Sequence, residues 1–209
     1  MPFTTDPPLM ARTRLALLAT IGDLHSAMVG YDLARLRSLV EHLEPDLLGV
    51  EGDPASWATT ERSSLPLEVR GALMPAARRT DTVIVLRGSS PLELAPPEGV
   101  PLRNDLIRLA QRVSRIVERT AGSPEGVNGG LVTHICGMLC TLESWAASEN
   151  GRRAWDETNQ RMLLNLVAAI RRDPGLRVVA AVQCPRVHWL AGRLAAYANE
   201  IELVSYRAL

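Results

Sequence analysis

The chain has 209 residues, 46% of them hydrophobic and 22% charged, which supplies apolar mass for a buried core and excludes a disordered acidic or basic tail. Its 23 basic and 23 acidic side chains cancel, and only one Phe and three Tyr are present, so no nucleic-acid or membrane partner is expected. Every basic residue is Arg, which excludes a lysine nucleophile, a Schiff base and a P-loop of the usual kind.

Met1 to Arg14 holds three Pro and two Arg but no apolar run ahead of a small-residue cleavage site, so no secretory signal is expected. Thr13 to Ile21 is short and nearly continuous in apolar residues, which predicts a strand buried on both faces. Leu33, Leu36, Leu39, Val40 and Leu43 then recur at helical spacing between a cap at Asp32 and a stop at Pro45. Asp46 to Glu51 predicts a second strand, parallel to the first and its neighbour across a right-handed crossover. A helix over Glu68 to Arg79 and a β-branched strand over Thr82 to Leu86 follow.

Ser89 to Pro101 has four Pro in thirteen residues and predicts a loop. Helices are expected over about 103–120, 131–148 and 153–172, with Asp173, Pro174 and Gly175 as the stop. Val178 to Val182 predicts a fourth strand, Val187 to Ala198 a helix and Ile201 to Ser205 a fifth strand. The alternation predicts a single α/β domain over residues 1–209, with a mainly parallel sheet, helices on both faces and a helical cap or flank at about 103–172. No helix-length apolar run suits a bilayer, and an odd set of three cysteines, Cys136, Cys140 and Cys184, suits a reducing, cytoplasmic location. A homodimer is the default oligomer on symmetry grounds.

In such a sheet, reactive groups gather at the carboxyl ends of the strands. Three segments fall there: Gly22 to His25, Glu51 to Asp53, and Cys184 to His188. An imidazole and a carboxylate on adjacent strand ends can act as base and orienting group, or share a metal. Asp23 as a turn cap and His25 as a satisfied loop histidine is the competing structural reading.

Gly22-Asp23-Leu24-His25, followed by a helix and by Glu44-Pro45-Asp46-Leu47-Leu48-Gly49-Val50-Glu51, resembles the first half of the TraB/PrgY/GumN-like family, relatives of the Tiki proteases, ChaN-like proteins and erythromycin esterases. Arg70 to Arg78 is similar to that family's next helix, and Glu157, Asn159 and Met162 match its late Glu-x-Asn-x-x-Met pattern. The resemblance implies a hydrolase in which His25 and Glu51 are catalytic, sometimes with a divalent, manganese-like metal held by His25, Glu51 and a late His188. It further implies that Glu157, Asn159, Arg161 and Arg186 bind a small-molecule or peptide substrate. The chain departs from the pattern where a second Gly-x-x-His belongs: Gln183-Cys184-Pro185-Arg186 stands there, with His188 two residues on. A non-catalytic binding or regulatory protein of the same fold is the opposing expectation.

Asp23-Leu24-His25 and Gly52-Asp53 are also similar to the opening motifs of two-metal phosphoesterases. The later motifs of that family are missing. His134, Cys136 and Cys140 lie in the apolar run LVTHICGMLCTL, which reads as core packing rather than a zinc site.

Overall fold

The computed structural model describes residues 12–58, 65–86 and 100–209. Most of the proline-rich stretch predicted as a loop, Ser89 to Gly99, lies outside these residues, as do residues 1–11 of the amino-terminal segment. In chain order the elements are β1 (Thr13–Thr20), a 3-10 turn (Gly22–Ser26), α1 (Leu33–Leu43), β2 (Leu47–Val50) and α2 (Pro54–Ala58). A π-helical turn (Val69–Leu73) runs into the short α3 (Met74–Ala76), and β3 (Thr82–Val85) follows. Then come α4 (Pro101–Ala121), α5 (Pro124–Val127), α6 (Gly130–Ala146), α7 (Glu149–Arg172), β4 (Arg177–Gln183), α8 (Cys184–Leu194) and β5 (Ile201–Leu203).

Local chemistry accounts for most boundaries. Asp32 caps α1 by accepting the Arg35 N–H at 2.7 Å, and Glu44 takes a left-handed φ of 44° just before Pro45 ends the helix. Ser148 caps α7 through the Gly151 N–H, and α4 closes on Gly122, whose φ of 67° suits glycine.

All five strands are parallel, in the order β3-β2-β4-β1-β5. This corrects the expectation that the first two strands are neighbours: β4 lies between them, paired with β1 over its full length and with β2 over four residues. The reason lies in composition. The segment RVVAAVQ is small and apolar on both faces, with its five middle residues buried, so it takes the most enclosed position. β3 and β5, whose residues are less completely buried, take the edges.

This order also positions the site. The β1–α1–β2 and β2–α3–β3 connections step one way along the sheet, and the later ones step back, so right-handed crossovers put the two helix sets on opposite faces. α1 packs on α3 and the π-helical turn, whereas α8 packs on β1, β4, α6 and α7. The direction reverses between β1 and β4, whose carboxyl ends Thr20 and Gln183 sit side by side. α4 and α6 form an antiparallel hairpin over α8, with Arg103 near the start of α4 stacked 5.7 Å from the Trp145 ring near the end of α6. Among the described residues, no helix is long and apolar enough to cross a membrane.

Leu48 is fully buried at the centre of β2. Leu48→Ala should lower unfolding free energy by about 2–5 kcal/mol, read from urea denaturation. A loss below about 1 kcal/mol would mean that β2 is not enclosed as described.

Candidate functional site

The first strand end folds back on itself. Gly22 has a φ of 57°, a left-handed conformation that glycine adopts without strain, and the chain enters a tight 3-10 turn. His25 is thereby returned under the strand end, 1% exposed. Its Nε2 accepts the Ile21 N–H at 3.2 Å, and its Nδ1 lies 2.7 Å from the Tyr31 carbonyl oxygen. Since Nε2 accepts, Nδ1 carries the proton and donates to Tyr31, so the ring is a neutral imidazole with both nitrogens used by backbone. Burial lowers its pKa, against the opposing pull of the Tyr31 carbonyl and Asp32.

Tyr31 stands edge-on to this imidazole, with ring centroids 4.7 Å apart. Its hydroxyl donates to the Ala19 carbonyl at 2.9 Å, and the Asn128 side-chain oxygen accepts the Ala19 N–H at 2.7 Å. These side chains satisfy the part of β1 that extends beyond its pairing with the short β5.

Glu51 follows β2 directly and is 3% exposed. One carboxylate oxygen accepts the Gln183 N–H at 2.9 Å, and the other meets the Arg186 Nε at 3.0 Å. Arg186 is itself 1% exposed. Its Nη1 donates to the Asn159 side-chain oxygen at 2.7 Å, the Met162 sulfur lies 3.2 Å from the same nitrogen, and the guanidinium carbon lies 4.5 Å from the Trp155 ring centroid. Residues from the ends of β2 and β4 and from α8 and α7 thus converge on one buried charge pair.

Glu68, just before the π-helical turn, is a further buried acid, 2% exposed. One of its oxygens accepts from the Thr20 hydroxyl at 3.3 Å, and the other meets no hydrogen-bond partner among the described residues. Burial, reinforced by Glu51 and Asp23, pushes its pKa up to about 7. Nothing in the sequence around Glu68 marks it, because its burial depends on strands brought together from elsewhere in the chain.

The other predicted residues fall apart spatially. His188 is exposed on α8 and lies edge-on to His134 of α6, with ring centroids 5.3 Å apart. A Cβ on Gly137 would lie 2.6 Å from the His188 side chain, so His188 packs on α6 rather than turning to the strand ends. Glu157 and Arg161 form an exposed i,i+4 pair at 3.7 Å on α7, on a side of the helix away from buried Asn159. Asp53 accepts from the backbone and hydroxyl of Ser56 at 3.0 and 3.1 Å, as the cap of α2, and Asp23 is exposed. His25, Glu51 and His188 therefore do not fit the manganese-like centre that the resemblance implies: the imidazole lacks a lone pair to offer and His188 is elsewhere. The pair Asp23 and Asp53 is not gathered with His25 into a ligand set either.

A different donor set does come together. Among the described residues, the carboxylate of Glu118 and the sulfurs of Cys136 and Cys184 lie within 4.8 Å of one another and could hold a metal ion. Cys140, expected beside Cys136 in the core, packs instead with Ala147 and Trp155. Helical spacing exposes only pairs within one helix, so the meeting of Cys136 with Cys184 required the tertiary fold. A polar groove lined by Glu41, Asp46, Arg79, Asp81 and Arg177 lies at the opposite, amino ends of β2 and β3.

No family model, curated protein or solved structure matches the chain.

Removing one member of a buried ion pair strands the other. Arg186→Met should destabilise the fold by about 3–5 kcal/mol in urea denaturation; a cost under about 1 kcal/mol would show that Glu51 does not need its partner. For Glu68, the folded-state pKa of about 7 lies above the ordinary 4.5, so the folded protein keeps a proton that the unfolded chain releases. Its contribution is full below pH 4.5 and is lost as pH rises through 7. Glu68→Gln should therefore gain on the wild type between pH 5 and 8, by up to about 3 kcal/mol at about 1.4 kcal/mol per pH unit. Parallel pH profiles for the two proteins would contradict the shift.

Proposed function

We propose that this chain is a TraB-like protein that has given up hydrolysis and works as a non-catalytic binding or regulatory protein. The observation that carries this reading is the 3.0 Å contact between Glu51 and Arg186. Arg186 stands where the second histidine of the resembling family belongs, and it neutralises the carboxylate that would otherwise orient a base. One oxygen of Glu51 is held by the Gln183 N–H and the other lies against a buried guanidinium, so the carboxylate is turned to protein groups rather than to a water. The backbone clamp on His25 supports the same reading, since neither ring nitrogen faces a substrate.

A binding role needs a face, and the α4–α6 hairpin offers one. Leu102, Leu109 and Ile116 recur every seven residues along α4 with exposures of 79, 57 and 62%. Leu131, Met138 and Trp145 do the same along α6, with 73, 59 and 61%. No Arg, Asp or Glu occurs between Gly130 and Leu142, so the outer face of α6 lacks the charges that normally solvate a surface helix. A seven-residue repeat is the seam of helix-on-helix packing. The partner we assign is a second copy of this chain, because two such hairpins related by a two-fold axis complete a four-helix arrangement.

One observation favours a hydrolytic reading instead. Glu68 has an oxygen without a hydrogen-bond partner among the described residues, and a carboxyl that titrates near neutrality suits a general base.

A metal-supplemented screen of ester, peptide and phosphoester substrates separates the readings. The binding role predicts no turnover above background in wild type, His25→Ala or Glu68→Gln; turnover that is lost in Glu68→Gln or His25→Ala would overturn it. For the face, light scattering should find a dimer in wild type and a monomer in the doubly substituted Leu109→Glu, Met138→Glu protein, with circular dichroism unchanged. A wild-type monomer at micromolar concentration would remove the second copy as partner.

A further inference from the structure

We propose that Glu118, Cys136 and Cys184 form a binding site for one thiophilic divalent cation of the zinc class. The three donors come from α4, α6 and the first residue of α8, and their ligand atoms lie within 4.8 Å of one another. Donors about 2.0–2.3 Å from a tetrahedral ion sit somewhat closer to each other than that, so a small inward movement of side chains closes the set. Both sulfurs are buried, and Glu118 is 7% exposed.

Packing alone does not explain this cluster. An apolar core gains nothing from a carboxyl group placed against two thiols, and burying ionisable groups without compensation is unfavourable. The surroundings concentrate acids further. Burial raises Glu118 to about 8 and Glu143, on the same α6 as Cys136, to about 7. Cys184 is raised by its hydrogen bond with Cys136 and then by burial. Arg115 acts against the rise on Glu118, and Arg186 against that on Cys140.

The donor types set the metal class. Two thiolates select zinc or a similarly soft ion over manganese or magnesium, which prefer all-oxygen sets. Loading is a proton exchange: the Cys136 and Cys184 thiols, and the Glu118 carboxyl where it is still protonated, release protons to solvent as S–metal and O–metal bonds form. Three protein donors leave one position of a tetrahedral ion for water or a small ligand. Cys184 is next in sequence to Gln183, whose N–H holds Glu51, and two residues before Arg186, so the cation would sit beside the pair that joins the β2 and β4 ends.

The test uses the full chain, reduced and stripped of metal. Cobalt(II) should bind at one equivalent and produce thiolate-to-cobalt charge-transfer absorption with tetrahedral ligand-field bands, displaced by one equivalent of zinc but not by excess manganese. Zinc should also raise the melting temperature. Cys184→Ser and Cys136→Ser should abolish the charge-transfer bands, and Glu118→Gln should weaken zinc binding about tenfold or more. The wild-type spectrum does not depend on whether a variant folds. Absence of thiolate–cobalt absorption in wild type overturns the site. Bands that persist in both cysteine variants overturn it equally, as does a zinc-resistant loss of two thiols to a Cys136–Cys184 disulfide under air.

Discussion

Glu51 and Arg186 are withdrawn from water together, and the rest of the strand-end structure is arranged around that fact. Each charge gives up solvation worth several kcal/mol, and a contact at 3.0 Å offsets this only if the remaining donors and acceptors are also matched. The Gln183 N–H serves the second carboxylate oxygen, and Asn159 and the Trp155 face serve the guanidinium. The pair thereby ties β2 to β4 and both to α7 and α8, one strand away from the β1–β4 boundary where the sheet connections reverse direction.

The histidine clamp belongs to the same construction. An imidazole with one nitrogen accepting from Ile21 and the other donating to Tyr31 serves as a fixed backbone cross-link, and it keeps the turn after β1 in place without a charge. Tyr31 and Asn128 then complete the hydrogen bonding of β1 where β5 has ended. Together these groups leave the hydrogen bonding at this strand end satisfied.

Much of this was legible in the sequence. The alternation of short β-branched runs with amphipathic segments identified all five strands and the long helices, and Asp32, Pro45 and Gly175 marked ends that local chemistry sets. The strand order was not legible, because nothing local says that RVVAAVQ, far along the chain, inserts between the first two strands; burial on both faces decides that. Within the site, Glu51, Asn159 and Arg186 were all visible as residues of interest, but their mutual pairing was not, since a guanidinium near a carboxylate has no sequence spacing. His188 was placed by proximity in sequence to the strand end, whereas its angular position on α8 sends it to Gly137. Glu68, Glu118 and the meeting of Cys136 with Cys184 had no periodic signature at all.

The account rests on Glu51 and Arg186 being energetically coupled rather than merely adjacent. A double-mutant cycle built from Glu51→Gln, Arg186→Met and the combined variant, measured by urea denaturation, isolates that coupling from the packing lost at each position. The account predicts a coupling free energy of about 1.5 kcal/mol or more, with the combined variant more stable than Arg186→Met alone. Additive losses, agreeing within about 0.5 kcal/mol, would contradict it.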